Sequence, residues 1–377
     1  MQLRFRWAAL LLYSCSPILA HGFALGRPDH QSLALVLVAV ALCAEWTLAR
    51  EYSRSFVIAG SAGWALAIWV SPYEPLILFA LLVLLQNRRI FASNRRIGWL
   101  VFGAIIGVAL VVERRLPLPP PANVSTLGNW GGTIGELTHV PITSGVWFQW
   151  CGWLLILAPV LLWKLRQKTA WFLSMLFVAT FFLTIWQARW GYFFVLLFVL
   201  LAPGILSLIG KPWVAWSVFI TALFPVLQAW DSTLSPEELA RRWENRVEQI
   251  ELRGVAERIN GAFLAPWWFS PALSYWSGQP GVAGSSHEAI GGTIESAKFF
   301  GADSPGAARE ICARRAVKWV VSYDSDRVAE NSAAILDSPI SSRALVYILD
   351  RNPSNAPAFL HLSAQTGRFK LFGAEDL

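Results

Sequence analysis

The sequence predicts a polytopic α-helical membrane bundle of about nine spans, followed by a smaller α/β domain outside the cytoplasm. Three observations carry that prediction. Of 377 residues, 55% are hydrophobic and only 15% charged, with 21 Trp, 23 Phe and a mean hydropathy of +0.47. A soluble domain does not hold that balance, whereas an integral membrane protein does. Apolar runs close to the roughly 20 residues needed to cross a bilayer recur as far as Trp230 and then stop. The charge changes at the same place: residues 1–231 carry 16 Lys+Arg and 7 Asp+Glu, residues 232–377 carry 15 and 17. The expected division is therefore a transmembrane domain over 1–231 and an extracytoplasmic α/β domain over 232–377. Because the basic excess lies in the membrane half and its loops, it predicts no nucleic-acid partner.

Apolar runs place spans at residues 7–25, 32–49, 55–71, 73–87, 97–112, 145–163, 169–186, 190–209 and 213–230. The first, preceded by Arg4 and Arg6 and ending at Ala20-His21-Gly22, reads as a retained span or as a signal peptide. Its apolar run is longer than an ordinary signal core. With the N-terminus in the cytoplasm, twelve Lys/Arg fall in inner loops and four (Arg27, Arg114, Arg115 and Arg189) in outer loops. That bias puts the C-terminal domain outside; the expected location is a bacterial inner membrane. Cys15, Cys43, Cys151 and Cys312 form no metal spacing and no disulfide framework.

The first outer loop is Gly26-Arg27-Pro28-Asp29-His30-Gln31. It reads as a hydrated turn, or as part of a site, since a carboxylate at a membrane boundary costs solvation energy. The second long outer loop, 113–144, starts with the proline-rich stretch 116–121, expected to be extended. It continues through a Gly-rich part containing Thr133-Ile134-Gly135-Glu136. A loop of that length is either a connector or functional. Arg189 opens a later span at its outer end, either snorkelling to headgroups or fixed to receive a phosphate.

In the C-terminal domain, Ser235, Pro236 and Glu238 signal a helix start. Leu239, Trp243, Val247, Ile250 and Ile259 at helical spacing predict one buried face. Candidate strands at 262–266, 280–283, 317–322, 345–349 and 369–372 alternate with candidate helices at 271–276, 293–300, 307–315 and 325–336. That alternation predicts a partly parallel sheet. No Gly-x-Gly-x-x-Gly follows a strand, so a dinucleotide site has no support.

Of seven acids before Ser232, Asp29 and Glu136 alone sit in polar, Gly-flanked outer segments. Two oxygen ligands from separate loops suit a hard divalent cation, Mg²⁺ or Mn²⁺, which would neutralise a phosphate leaving group.

Asp29 after the Ser16-Pro17 span, Thr133-Ile134-Gly135-Glu136, Arg189 at a span mouth and Trp267-Trp268 in the C-terminal domain occur in a fixed order. That order resembles the catalytic subunit of oligosaccharyltransferases and related GT-C membrane glycosyltransferases. The stretch Tyr275-Trp276-Ser277-Gly278-Gln279-Pro280 to His287-Glu288 is similar as well. The resemblance implies a GT-C-like bundle that moves a sugar or oligosaccharide from a polyprenyl-(pyro)phosphate donor to an acceptor on the outer face. It implies Asp29 and Glu136 as metal ligands, with His30 as a weaker one. Arg189 would clamp the lipid phosphate, and Trp267 and Trp268 would lie in the acceptor region.

The chain departs from the family in three ways, one being that fewer spans separate the Asp29 loop from the Glu136 loop than the family usually has. It starts about two spans late, so a separate N-terminal piece is expected to supply the first outer loop. In addition, Phe269-Ser270-Pro271 stands where the family's Trp-Trp motif continues with Asp. The alternative is a non-catalytic, split or truncated relative that serves as a membrane scaffold subunit. His287-Glu288 reads as a scaffold loop or as metal or acid–base residues. The sugar and the acceptor are not legible.

Overall fold

The computed structural model describes residues 5–23, 31–114, 124–165, 171–286 and 289–375. It is mostly helical with one small sheet, and it divides into two compact units. One takes in Met1–Leu116 and Glu136–Ser235, the other Pro117–Gly135 and Pro236–Leu377.

The first unit opens with α1 (Arg6–Cys15) and α2 (Pro17–Gly22), separated by an extended Ser16 before Pro17. Proline is favoured at the first helical position and clashes with a preceding turn, so a new helix starts there. α3 (Gln31–Leu48) and α4 (Arg54–Val70) pack through small residues, Ala41 and Ala44 against Gly60 and Gly63, which lets the two backbones approach closely. α5 (Tyr73–Ile90) and α6 (Arg96–Glu113) follow. The turn before α6 is pinned by Arg95, whose two terminal nitrogens donate to both oxygens of Glu45 on α3 at 2.7 and 2.9 Å. Both groups are buried, so the bidentate geometry is what makes that burial tolerable. α7 (Val124–Gly132) belongs to the second unit.

The first unit resumes with α8 (Val146–Cys151), α9 (Ala158–Leu165), α10 (Trp171–Trp186), α11 (Gly191–Leu206), α12 (Pro212–Ala222) and α13 (Phe224–Ser232). α11 is apolar on all sides and buried along almost its whole length, which makes it the centre of this unit. Phe177 of α10 stacks on its Phe194 at 4.8 Å. α6 is the opposite case: Leu100 and Val111 are each 73% exposed, as befits a helix that meets hydrocarbon rather than protein.

Among the described residues, four helical stretches are long and apolar enough to cross a membrane: Gln31–Leu48, Ser93–Glu113, Ala188–Leu206 and Pro212–Ser232. The runs at 55–71, 73–87, 145–163 and 169–186 form shorter apolar helices, interrupted in 145–163 by a 3-10 turn after Gly152. The run at 7–25 divides between α1 and α2.

The second unit contains α14 (Pro236–Ala256), β1 (Phe263–Leu264), α15 (Ser270–Ser277), α16 (Ile290–Phe300), α17 (Pro305–Arg314) and β2 (Trp319–Ser322). After these come α18 (Ser325–Leu336), α19 (Leu345–Arg351), β3 (Leu360–Thr366) and β4 (Phe369–Ala374). The sheet order is β1-β2-β4-β3, parallel between β1 and β2 and antiparallel elsewhere. Residues 280–283 run beside β1 through the pair Phe263 and Gly281.

Three expectations are corrected here. Residues 345–349 are helical: Leu345, Val346 and Leu349 bury one helical face. The strand β3 went unread because it carries polar residues on an edge. It turns into β4 through Gly367, whose φ of +54° suits glycine. On α14, Leu239, Trp243, Val247 and Ile250 are exposed, and its buried residues are Leu252, Val255 and Ala256.

Candidate functional site

The proline-rich part of the 113–144 loop, 116–121, lies outside the described residues, but its second part is ordered by two separate attachments. α7 ends where the Thr133 hydroxyl donates to the Trp130 carbonyl at 2.7 Å. Trp130 and Ile134 pack with Ile290, Ala297, Ile335 and Trp267 in the second unit. From Glu136 onward the chain belongs to the first unit. The polarity of Thr133-Ile134-Gly135-Glu136 follows from that change, with apolar Ile134 in one core and Glu136 beyond it.

Glu136 sits in a 3-10 turn, Gly135–Leu137. Its Oε2 accepts from Nε2 of Gln31 at 3.1 Å. Gln31 is buried at the start of α3, so this bond ties the long loop to the residue directly after Asp29-His30. Asp29 and His30 themselves lie outside the described residues, as do His287 and Glu288.

Arg189 reaches the same loop through the backbone. The Ala188 N–H donates to the Thr138 carbonyl at 2.8 Å, and the Val140 N–H donates to the Ile185 carbonyl at 3.2 Å. These bonds lay the segment after Glu136 alongside the turn that carries Arg189. The turn is a 3-10 helix, Ala188–Trp190, running into α11. Its close packing depends on Gly191, since a Cβ there would stand 2.7 Å from Ile18 and from Trp150. One residue on, the Tyr192 hydroxyl lies 3.1 Å from Nδ1 of His21 on α2. The guanidinium of Arg189 pairs with Glu74 at the start of α5, Nε to Oε1 at 2.5 Å, and Ser71 donates to the other Glu74 oxygen at 2.8 Å.

Sequence reasoning therefore missed three neighbours of the residues it selected: Gln31, Glu74 and the His21–Tyr192 pair. A signal existed for two of them. Gln31 closes the polar hexapeptide at Asp29, and Glu74 is one of only seven acids before Ser232.

The donor set can be tested against a divalent cation. Among the described residues, no three His, Cys, Asp or Glu side chains group together. The described donors are the Glu136 carboxylate and the Gln31 carboxamide, with Asp29 and His30 just before Gln31 in the chain. Carboxylate and amide oxygens are donors of the kind Mg²⁺ and Mn²⁺ take.

In the second unit, Trp267 meets Trp130 edge-on at 5.5 Å, and the Arg327 guanidinium lies over Trp268 at 5.0 Å. Phe269 turns inward, 4% exposed, against Tyr323 at 4.8 Å and Phe369 at 5.1 Å. That position is therefore a core position, where an unpaired carboxylate would be costly. Burial pushes the Cys312 thiol up to about 12, so it offers no thiolate nucleophile.

No family model matches the chain, and no curated protein matches it. Among solved structures it is similar to an oligosaccharyltransferase of Archaeoglobus fulgidus, solved tethered by a disulfide bond to an acceptor peptide containing the NVT sequon. The identity is 12% over 98% of this chain and 56% of that one, with a TM-score of 0.43. The chain thus spans a little over half the length of that enzyme. It is also similar to two structures of C-terminal globular domains of oligosaccharyltransferase from the same organism. One is 18% identical, covering 34% of this chain and 97% of that one with a TM-score of 0.28. The other is 17% identical, covering 35% and 94% with a TM-score of 0.24.

Proposed function

We propose that the chain is an integral-membrane glycosyltransferase that moves a sugar or oligosaccharide from a polyprenyl-(pyro)phosphate donor to an acceptor on the outer face. The observation that carries this reading is the convergence on one loop: Glu136 bonded to Gln31, and Arg189 held alongside through Ala188 and Thr138. Residues 105 and 53 positions from Glu136 do not meet there for want of a connector.

Glycosyl transfer breaks the bond between the anomeric carbon and the phosphate oxygen while the acceptor forms the new one. Charge develops on the departing phosphate, so groups that neutralise it lower the barrier. Arg189 supplies a planar cation suited to phosphate. Glu136 and Asp29, with Gln31 and His30 beside them, would hold Mg²⁺ or Mn²⁺, which supplies Lewis-acid stabilisation of the leaving phosphate when bound. Gln31 orients the Glu136 carboxylate by its amide N–H.

The test is transfer or release from a polyprenyl-pyrophosphate-linked N-acetylglucosamine by the full chain in proteoliposomes. Asp29→Asn and Glu136→Gln should each lower the rate by about 10²–10³ at unchanged folding, the range for losing one stabilising group. Arg189→Lys should weaken donor binding, since charge remains and the fork is lost. Rates that survive both carboxylate changes would remove the shared site.

A second reading, a non-catalytic scaffold or one piece of a split enzyme, is favoured by Phe269. Its inward packing supports an acceptor that is not read through a carboxylate at this position. Peptides carrying Asn-x-Ser/Thr should bind no better than matched peptides lacking the hydroxyl. A tenfold preference, about 1.4 kcal/mol, would show that another group reads it.

A further inference from the structure

α14 has two faces, and its own unit uses only one of them. Leu252, Val255 and Ala256 enter the core at its C-terminal end. On the same side, Glu248 accepts from the Tyr323 hydroxyl and Glu251 from the Arg368 N–H. Leu239, Trp243, Val247 and Ile250 recur at intervals of four, four and three, which puts them on one helical stripe pointing away from that core. They are 48%, 64%, 37% and 64% exposed. Arg242, Arg246 and Arg253 follow one border of the stripe. Such a helix has a strong apolar stripe on an otherwise polar body, the pattern of segments that lie in a membrane interface.

The chain itself says what covers it. Pro212–Ser232 is long and apolar enough to cross a membrane, and α14 begins at Pro236. The three intervening residues reach at most about 14 Å between the helix ends when fully extended. The first turn of α14 is thereby held within a headgroup layer's depth of the span's end, wherever the rest of the second unit sits. Standing upright, the helix would carry Ile250 about 17 Å beyond Leu239, at 1.5 Å per residue, and lift most of the stripe into water. Lying flat, it keeps the whole stripe at one depth. Trp243 would then sit at the level aromatic side chains favour, with the Arg border among the lipid phosphates.

We infer that the first two-thirds of α14 lie in the outer membrane–water boundary, with Leu239, Trp243, Val247 and Ile250 inserted into lipid. The helix thereby docks the second unit onto the bilayer surface. This goes beyond the transferase reading and needs none of its chemistry.

The experiment uses the full chain in phosphatidylethanolamine–phosphatidylglycerol liposomes, with Cys15 and Cys43 replaced by Ser and one nitroxide at a time at 239, 243, 247 or 250. Positions 237 and 244, on the exposed acidic border, serve as water controls. Position 220, where Ile220 is exposed on the span, serves as the lipid control. Accessibility to oxygen is compared with accessibility to a water-soluble nickel chelate. The stripe should resemble position 220, with an oxygen-to-nickel ratio at least fivefold above 237 and 244. A stripe as open to nickel as the acidic border overturns the inference. So does a stripe closed to both reagents, which would mean that another protein surface covers it. If position 220 also reads as water, it is the membrane span that fails.

Discussion

On the proposed reading, a donor phosphate at Arg189 would share the guanidinium with Glu74. The pair is close, 2.5 Å, and the Glu74 side chain is only 9% exposed, so water does little to weaken the attraction. Glu74→Gln keeps the side chain's size and an acceptor oxygen while removing the negative charge that competes with the donor. Donor affinity, read by calorimetry or by KM for the polyprenyl-linked sugar, should rise about tenfold, equivalent to about 1.4 kcal/mol. A weaker affinity instead would mean that Glu74 serves to aim the cation, and that losing the bond outweighs losing the charge. The sequence displays both residues, each at a span end, yet nothing in their spacing of over a hundred positions predicts the pair. Long-range ion pairs are set by which helix ends meet, and that is decided by packing. Gln31 is the contrary case, since its place beside Asp29 marks the right hexapeptide while its bond to Glu136 emerges only from the fold.

At the scale of elements, the second unit is fastened by Asp350 at the end of α19. One oxygen accepts from the Ser325 N–H at the start of α18 at 2.9 Å, the other from Lys370 on β4 at 2.7 Å. Burial by itself would raise this carboxyl. The Lys370 ammonium and the Ser325 bonds outweigh it and hold the group below the ordinary aspartate range. A carboxylate depressed in the folded state contributes stability above its unfolded pKa and loses it as pH falls through the folded one. Asp350→Asn should therefore cost about 1–2 kcal/mol near neutrality, and the gap to the parent should close as pH drops below about 4. Hydrogen exchange across α19 and β4 in the full chain would measure it. An unchanged gap in acid would mean that the loss comes from packing. Elements with local signals were legible: the helices at 293–300, 307–315 and 325–336 announce themselves by periodicity and, for α17 and α18, by side-chain caps at Ser304 and Asp324. β3 and residues 345–349 were not, because a polar edge strand and a short apolar helix reverse the patterns that distinguish the two. On α14 the period was right and the partner wrong, since periodicity reports an apolar face without saying what covers it.

At the scale of the molecule, the chain clusters into two differently built units. One is organised around a helix buried on every side, the other around a four-stranded sheet. The chain does not change unit only once. Residues 124–135 pack with the second unit although they precede α8 to α13 of the first, which no local composition could announce. The side of the membrane expected for the second unit rests on twelve Lys and Arg that the sequence assigns to inner loops against four assigned to outer ones. Moving Lys or Arg across a bilayer is costly, and insertion settles the side that keeps them in the cytoplasm. Arg95, paired with Glu45, is one of the twelve that the sequence count assigns to the inner side. A reporter that is active only in the cytoplasm, fused after Leu377, should therefore stay dark, while one that matures only outside should be active in the same position. The inner loop before α6 offers the reciprocal check: after Ala92 the two reporters should exchange behaviour. A bright cytoplasmic reporter at Leu377 would reverse the topology. It would also put Glu136 and Arg189 on the cytoplasmic face, where a donor presented at the outer leaflet could not reach them.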